Sequence, residues 1–256
     1  MKLTLLPSAV GGAGGAPAQY LSTALLNDTI AIDAGCLGFY GTPDEQARVR
    51  HVLLTHSHLD HVASLPIFLE NAYQCRADPV NIYGSAATLA CLRGHFFNDQ
   101  IWPDFVALSC GDQPFLRLVP FEAGQTLELD GVRVTAVAMD HVVPVLGFLV
   151  SDAHASFVFV TDTAPTDVVW RAANALPDLK AVFLEATFPN EMQWLADVSK
   201  HLTPATFAGE VRKLTRPVRL VAMHLKARYH AEVAAQLHAL GIAGMELAQF
   251  GVPYEI

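Results

Sequence analysis

The chain has 256 residues, of which 52% are hydrophobic and only 16% charged. This length is sufficient for one large domain with a sizeable core, and we expect residues 1–256 to form a single domain. The formal net charge of −9 argues against a protein that binds nucleic-acid backbones over a broad surface, because such binding requires a basic face.

The N-terminal segment predicts a strand followed by a glycine-rich turn. Residues 2–8 form an apolar run that Pro7 breaks, and the run is too short for a signal peptide or a membrane span. The segment GGAGGAP at residues 11–17 lacks the GxxxxGK[ST] pattern of a phosphate-binding loop, so a turn is favoured over a pocket wall. We therefore expect a cytoplasmic protein without a membrane partner.

Apolar runs between polar or Gly/Pro breaks predict further strands, at residues 23–35, 51–57, 81–85, 147–162, 181–187 and 218–224. Leu-Asp-Gly at residues 129–131 lies between two alternating stretches and predicts a hairpin. Helical spacing of apolar residues predicts helices at residues 44–50, 60–75, 85–99, 165–176, 203–214 and 230–241. This mixture predicts an α/β fold with two sheets inside and helices outside.

Three histidines and an aspartate follow a predicted buried strand within six positions. The stretch HVLLTHSHLDHVASLP, residues 51–66, carries His56, His58, Asp60 and His61. Imidazole nitrogens and carboxylate oxygens are common ligands of zinc and its neighbours. Because residues i and i+2 of an extended segment point the same way, His56 and His58 can bind one metal ion together. Asp60 and His61 open the next helix and suit a second ion.

The same pattern, an apolar run that ends in a metal-binding residue, recurs at four later strands. The residues at these ends are His141, Asp162, Glu185 and His224. Strand ends at one rim of a sheet commonly build the sites of α/β proteins. We expect His141 to complete the first metal shell, His224 the second, and Asp162 to bridge both ions. Asp140 beside His141 stays open as an alternative ligand, as does a helix-capping role for a strand-end aspartate.

The segment THSHLDH, residues 55–61, resembles the motif of the metallo-β-lactamase superfamily. That resemblance covers nearly the whole chain and implies a four-layer αββα sandwich with a dinuclear metal site at the sheet rim. The longer form HSHLDHVASLP resembles the class II 3′,5′-cyclic-nucleotide phosphodiesterases. Further stretches that agree with this family are FFNDQIWPDF (96–105), DHVVPVLGFLV (140–150), LEATFPN (184–190) and SKHLTP (199–204).

The segments LEATF and KHLTP predict a pair of interacting side chains. Glu185 at a strand end can accept a hydrogen bond from His201, which fixes the tautomer and favours the imidazolium. A charged imidazole beside a phosphate can protonate a leaving oxygen. A similar pair occurs in the related tRNA 3′-processing endonucleases, so it favours phosphodiester chemistry. The alternative is that His201 only precedes a helix that starts at Thr203-Pro204.

The resemblance implies hydrolysis of a cyclic phosphodiester, cyclic AMP or cyclic GMP, to a nucleoside 5′-monophosphate by a metal-bridging hydroxide. In this mechanism Asp60 ligates a metal and orients the nucleophile, and His201, oriented by Glu185, is the general acid. Stacking of the base on an aromatic side chain is expected. The segment between the motif and His141 offers Phe96, Phe97 and Trp102 for such stacking, and Asn98 as a further substrate-binding candidate. A core or dimer-interface role for the aromatic residues is at least as well favoured.

The expected cofactors are two divalent metal ions, with Zn²⁺ the first candidate and Mn²⁺ or Fe²⁺ able to occupy the same shell. The expected partner is a small cyclic nucleotide and no nucleic acid, and the family likeness suggests a homodimer. Two other functions of the same fold are a tRNA 3′-end endonuclease, which needs a basic surface, and a thioester or lactone hydrolase. The Glu185 and His201 pair argues against the second.

Overall fold

The computed structural model of the chain describes residues 1–8, 19–73, 78–109, 111 and 114–256. One sheet contains seven strands, six from the first half of the chain and one from its C-terminal end. In chain order they are β1 (Lys2–Leu5), β2 (Ala24–Leu26), β3 (Ile30–Ile32), β4 (His51–Leu53), β5 (Val80–Gly84), β6 (Leu116–Pro120) and β14 (Pro253–Glu255).

A second sheet of seven strands comes from the second half of the chain. These strands are β7 (Thr126–Leu129), β8 (Val132–Met139), β9 (Val145–Ser151), β10 (Ser156–Val160), β11 (Leu179–Glu185), β12 (Arg219–Met223) and β13 (Met245–Leu247). β7 and β8 pair antiparallel across the predicted hairpin turn, in which Asp130 and Gly131 both have positive φ.

The two sheets have the same pairing pattern. Their strand orders are β14-β1-β2-β3-β4-β5-β6 and β13-β12-β11-β10-β9-β8-β7. In the first sheet, antiparallel pairs run from β14 to β3 and parallel pairs from β3 to β6. In the second, antiparallel pairs run from β7 to β10 and parallel pairs from β10 to β13. As a result β8, β10, β11 and β12 all end at one rim.

Nine α-helices are described: α1 (Pro43–Gln46), α2 (Leu59–Val62), α3 (Leu65–Ala72), α4 (Ala86–His95), α5 (Phe105–Leu108), α6 (Val168–Ala175), α7 (Gln193–Ser199), α8 (Pro204–Val211) and α9 (His230–Ala239). Caps explain several starts. The Ser85 hydroxyl accepts from the backbone N–H of Thr88, and the Thr203 hydroxyl accepts from that of Thr206 with Pro204 at the first position. Short 3-10 helices are Leu37–Phe39, Asn190–Met192 and Ala227–Tyr229.

Three apolar clusters define four layers. The first lies between the sheets and includes Ile32, Leu53, Phe148 and Phe183. The second covers the outer face of the first sheet with α3 and α4, and the third covers the outer face of the second sheet with α6, α8 and α9. Successive residues of β4 alternate between layers, as a strand buried on both faces requires. The predicted four-layer αββα sandwich is confirmed.

The structure departs from the predicted elements in places. The helix expected at 60–75 is two helices, α2 and α3, because the chain turns at Ala63-Ser64 and α3 restarts with Pro66 in its first turn. The helix expected at 44–50 ends at Gln46. The strand expected at 23–35 is the hairpin β2–β3, turned by two residues at positive φ, Asn27 and Asp28.

One predicted segment, the glycine-rich stretch at residues 11–17, lies outside the described residues. Cys36 and Cys91 are free thiols, the first of them buried. Among the described parts of the chain, none of the helices has the length and apolarity that crossing a membrane would require.

Candidate metal centre

The turn between β4 and α2 brings four candidate side chains to one place. His56 and His61 are fully buried, whereas His58 and Asp60 are partly exposed. His58 occupies the N-cap position of α2 but makes no capping bond there, so its imidazole is free to face the other histidines. The rings of His56 and His58 are 4.6 Å apart and those of His56 and His61 4.2 Å apart.

The second sheet supplies the remaining candidates from separate strand ends. His141 follows β8, Asp162 follows β10, and His224 follows β12, where all three project from the rim described above. Asp162 has a φ of +28° and His224 a φ of +59°. Non-glycine residues at positive φ are uncommon and collect at functional sites, where the surrounding structure holds them in place.

Asp162 lies at the centre of the cluster with its two oxygens facing different histidines. Its Oδ2 is 3.4 Å from His56 Nε2 and 3.8 Å from His141 Nε2. Its Oδ1 is 3.5 Å from His61 Nε2 and 3.4 Å from His224 Nε2. Asp162 is 1% exposed. It can therefore contribute one oxygen to each of two groups of ligands.

The histidine rings are held by their Nδ1 atoms. Nδ1 of His61 donates to Asp33 at 2.6 Å, Nδ1 of His141 donates to the Lys200 carbonyl at 2.9 Å, and Nδ1 of His56 lies 3.0 Å from the Thr55 hydroxyl. These bonds assign the Nδ1–H tautomer and leave Nε2 as the acceptor.

The Nε2 atoms of His56, His61 and His141 are buried, and none has a hydrogen-bond partner among the described residues. Buried polar atoms without partners are rare, and imidazole nitrogens of this kind are suited to bind a metal ion. Three groups have ligand atoms within 4.8 Å of one another: His56, His58, His141 with Asp162; Asp60, His61 with His224; and Asp162, His201 with His224. The residues thus fit divalent metal ions, which the fold also implies.

Glu185 and His201 form the predicted pair. His201 Nδ1 donates to Glu185 Oε1 at 2.9 Å, and its Nε2 lies 4.0 Å from Asp162 Oδ2. Glu185 is fully buried and also accepts hydrogen bonds from the backbone N–H groups of Thr163 and Leu202. His201 is therefore fixed at the edge of the cluster, where it is close enough to be either a proton donor or a ligand.

Charges within the cluster are unevenly distributed. Burial would raise the pKa of Asp162, but the charges of His224 and His61 outweigh it and hold that pKa well below its usual range. Burial lowers the pKa of His56 and His141. Burial would also lower the pKa of His201, but the Glu185 charge and hydrogen bond outweigh it and raise that pKa. An ionised carboxylate among imidazoles is a donor set that suits a divalent cation, because imidazole nitrogens bind such an ion in their deprotonated form.

Two supporting residues were not predicted. Asp33 is fully buried at the end of β3 and, besides His61, accepts from both the backbone N–H and the hydroxyl of Thr55. Thr187 donates to Glu185 Oε2 at 2.5 Å and lies 3.1 Å from His224 Nδ1. The signal for Asp33 was present, since IAIDAG is another apolar run that ends in an aspartate.

The structure separates Asp140 from the cluster. This residue, the alternative to His141, is exposed and forms a 2.6 Å ion pair with Lys200. Asp140 is absent from the three groups that could hold a metal among the described residues. His141 is therefore the residue of this strand end that faces the other candidates.

The three residues predicted to hold a base are not gathered with the metal candidates. Phe97 is 1% exposed and packs in the outer apolar cluster, stacked on Phe105. The Asn98 side chain accepts from the backbone N–H groups of residues 100 and 101 and so shapes a turn. The Trp102 ring packs edge-on against Phe105. These positions give no support to base stacking on Phe97.

Curated proteins of similar sequence include two phosphodiester-cleaving enzymes. A "Probable 3′,5′-cyclic-nucleotide phosphodiesterase" of Yersinia pestis is 29% identical over 183 residues, which are 65% of this chain and 51% of that protein. A "Ribonuclease Z" of Mycobacterium bovis is 30% identical over 125 residues, which are 45% of each chain. The chain spans about half the length of the curated relatives it matches.

Solved structures share the fold of this chain. Unliganded yeast PDE1 superposes with a TM-score of 0.77 at 17% identity, with 98% of each chain covered. A sequence profile described as "Beta-lactamase superfamily domain" matches residues 32–225, which include every candidate ligand and both residues of the Glu185–His201 pair. The chain therefore belongs to the β-lactamase superfamily and has the metallo-β-lactamase fold.

Proposed function

We propose that the chain hydrolyses a 3′,5′-cyclic nucleotide, cyclic AMP or cyclic GMP, to the nucleoside 5′-monophosphate. The observation that carries the proposal is the position of His201, which Glu185 holds 4.0 Å from the central carboxylate of Asp162. A protonatable group at the edge of a metal-binding cluster suits a reaction whose leaving group is a poor one, such as the 3′ oxygen of a ribose. The similarity to the Yersinia pestis protein supports a small phosphodiester as substrate.

The proposed cofactors are two divalent metal ions, with zinc as the first candidate because the ligands are imidazole and carboxylate. One ion would be held by His56, His58 and His141, and the other by Asp60, His61 and His224. The two oxygens of Asp162 face histidines of both groups, so it would serve both ions. Such ions, when bound, lower the pKa of a coordinated water and offset the charge of a phosphate.

The remaining steps belong to the protein's own side chains. Asp60 is the more exposed carboxylate of the cluster and lies 3.5 Å from His224, so it can ligate and also orient a water that attacks phosphorus. His201 donates its proton to the departing 3′ oxygen. Glu185 stabilises the imidazolium before that transfer and keeps the ring in the productive orientation.

The test is product analysis with metal-loaded protein. Incubation with cyclic AMP or cyclic GMP should yield the 5′-monophosphate, resolved by chromatography from the 3′ isomer. Asp162→Asn should lower the rate more than about 100-fold, because even outer partners of metal ligands change activity by about 10- to 100-fold. Asp140→Asn is the matched control, since this strand-end aspartate is exposed and paired with Lys200. No turnover of either nucleotide by protein with two bound ions would contradict the proposal.

A second candidate is a tRNA 3′-end endonuclease, which the match to Ribonuclease Z of Mycobacterium bovis favours. The net charge of −9 argues against it, because a protein that grips tRNA needs a basic face. Release of a 3′ trailer from a precursor tRNA, without turnover of cyclic nucleotides, would establish this function in place of the first.

A further inference from the structure

A cleft opens beside the candidate metal centre, at the rim between the two sheets. Its lining includes Asp60 and His224 of the candidate metal centre and apolar residues of both sheets. The deep wall is apolar and comes from both sheets, with Leu5 of β1, Phe159 of β10 and Met223 of β12. These side chains are at most 5% exposed, so the cleft reaches the inter-sheet core.

The cleft is continuous with the metal centre. Asp60 and His224 line it, and their facing atoms Oδ2 and Nε2 are 3.5 Å apart. Lys226 stands at the same junction, with its Nζ 3.4 Å from Asp60 Oδ2 and its side chain 41% exposed. A ligand whose phosphate lay at the metal centre could therefore extend its uncharged part into the cleft without crossing another element.

Two aromatic rings lie along the apolar part of the cleft. Tyr20 is 64% exposed, and Phe250 is half-buried against the inter-sheet core. The hydroxyls of Tyr20 and Ser22 make no hydrogen bonds within the described part of the chain, so they can pair with polar ring atoms of a ligand. By contrast, the neighbouring Gln19 amide already bonds the carbonyls of Leu6 and Leu21 and the Ser8 N–H.

We propose that this cleft binds the nucleobase of the substrate, with Tyr20 and Phe250 contacting the base and Lys226 contacting the phosphate. The inference rests on the proposed function and deepens it, since it names the residues that recognise the nucleoside part. An apolar wall with aromatic rings and a few unpaired hydroxyls suits a flat heteroaromatic ring, and the cation at the junction suits the anionic end of the same molecule. Phe97 and Trp102, by contrast, pack on Phe105 in the outer cluster.

The experiment compares two probes that share a phosphate and a sugar but differ in the base. Binding of adenosine 5′-monophosphate and of ribose 5-phosphate to metal-loaded protein is measured by calorimetry. The variants are Tyr20→Ala, which changes an exposed ring, and Phe250→Leu, which removes a ring but keeps apolar packing. Phe39→Ala is the matched control, because Phe39 is also 64% exposed and does not line the cleft.

We expect the monophosphate to bind at least about 10-fold more tightly than ribose 5-phosphate. Tyr20→Ala or Phe250→Leu should weaken the monophosphate about 5- to 150-fold, the range for loss of one base–aromatic stack, and leave ribose 5-phosphate unchanged. Lys226→Met should weaken both probes by a similar factor, and Phe39→Ala neither.

Equal affinity of the wild-type protein for the two probes would overturn the inference, as would an equal effect of the cleft variants on both. Its failure is distinguishable from that of the proposed function. If the protein hydrolyses cyclic AMP but binds both probes equally, the proposed reaction stands and the proposed role of the cleft is wrong. If the protein prefers the base-bearing probe, loses that preference in the cleft variants and hydrolyses no cyclic nucleotide, the role of the cleft stands and the proposed reaction is wrong.

Discussion

The two halves of the molecule contribute to the candidate metal centre in different ways. In the first sheet, one turn after β4 supplies four candidate ligands within six residues, from His56 to His61. In the second sheet, each strand end supplies a single residue, and the candidate ligands His141 and His224 lie 83 positions apart in the chain. The pairing patterns of the two sheets are the same, so the difference arises from the segments at their rims.

The two regions position their candidate ligands by different means, one local in the chain and the other dependent on tertiary structure. The turn orients its candidate ligands through neighbouring backbone, whereas those of the second sheet depend on β8, β10 and β12 ending at the same rim. The turn also relies on the first sheet, since Asp33 at the end of β3 holds His61 and Thr55. Variants of matched residues from the two regions can test how far each depends on the other.

The largest effect is expected when one ligand is removed from either region. His56→Ala in the turn and His141→Ala at the end of β8 take ligands from the same group, so each should abolish turnover and reduce bound metal from two ions per chain to about one. Metal content by mass spectrometry checks this, with His154→Ala, an exposed histidine, as control. Retention of two ions by only one of the two variants would show that the regions contribute unequally.

A smaller loss is expected for the residue at the edge of the cluster. His201→Gln should slow cyclic AMP hydrolysis about 10²- to 10⁴-fold, the usual contribution of general acid catalysis, with metal content unchanged. The loss should be much smaller with bis(p-nitrophenyl) phosphate, because p-nitrophenolate leaves without a proton. Equal losses on both substrates together with loss of metal would identify His201 as a ligand instead, in the group with Asp162 and His224.

Asp33→Asn tests the support that the first sheet gives to the turn. The amide cannot accept from His61 Nδ1 and Thr55 as the carboxylate does, so metal affinity should fall about 10- to 100-fold. Asp28→Asn is the control, since both aspartates have a φ of +61° but Asp28 only pairs with Lys2 at the surface. Metal competition with a chromophoric chelator measures the affinity. An unchanged affinity for Asp33→Asn would mean that His61 needs no such partner.

An effect on stability alone is expected from a glycine behind the turn. A Cβ on Gly35 would lie 2.0 Å from the Asp60 carbonyl oxygen, so Gly35→Ala must displace the turn and should lower the free energy of unfolding by about 1–3 kcal/mol. Gly209→Ala in α8 meets no atom within 4 Å and should be neutral or stabilising by up to about 1 kcal/mol. Urea denaturation gives both values. Similar stabilities would show that the turn can shift without cost.

The mixture of strand and helix patterns predicted two sheets with helices outside, and the family resemblance implied the four-layer sandwich. Apolar runs that end in histidine or a carboxylate predicted the residues that the structure gathers around Asp162, because that signal is local. It did not predict support that depends on the packing of distant segments. The hydrogen bond from His141 to the Lys200 carbonyl has no sequence signal, because any residue offers a carbonyl. The role of Asp33 required β3 to lie beside β4, and the burial of Phe97 required the helices over the first sheet to be in place.

The backbone at the rim limits which amino acids can replace the site residues. Asp33, Asp162 and His224 all have positive φ, a region that aspartate, asparagine and histidine enter more readily than other non-glycine residues. A glutamate at position 162 or a β-branched residue at position 224 would be disfavoured by conformation before its chemistry mattered. Two requirements therefore limit which residues can replace these three in evolution: the backbone conformation and the chemistry of the side chain. The residue types that tolerate this backbone conformation are among those that bind metal.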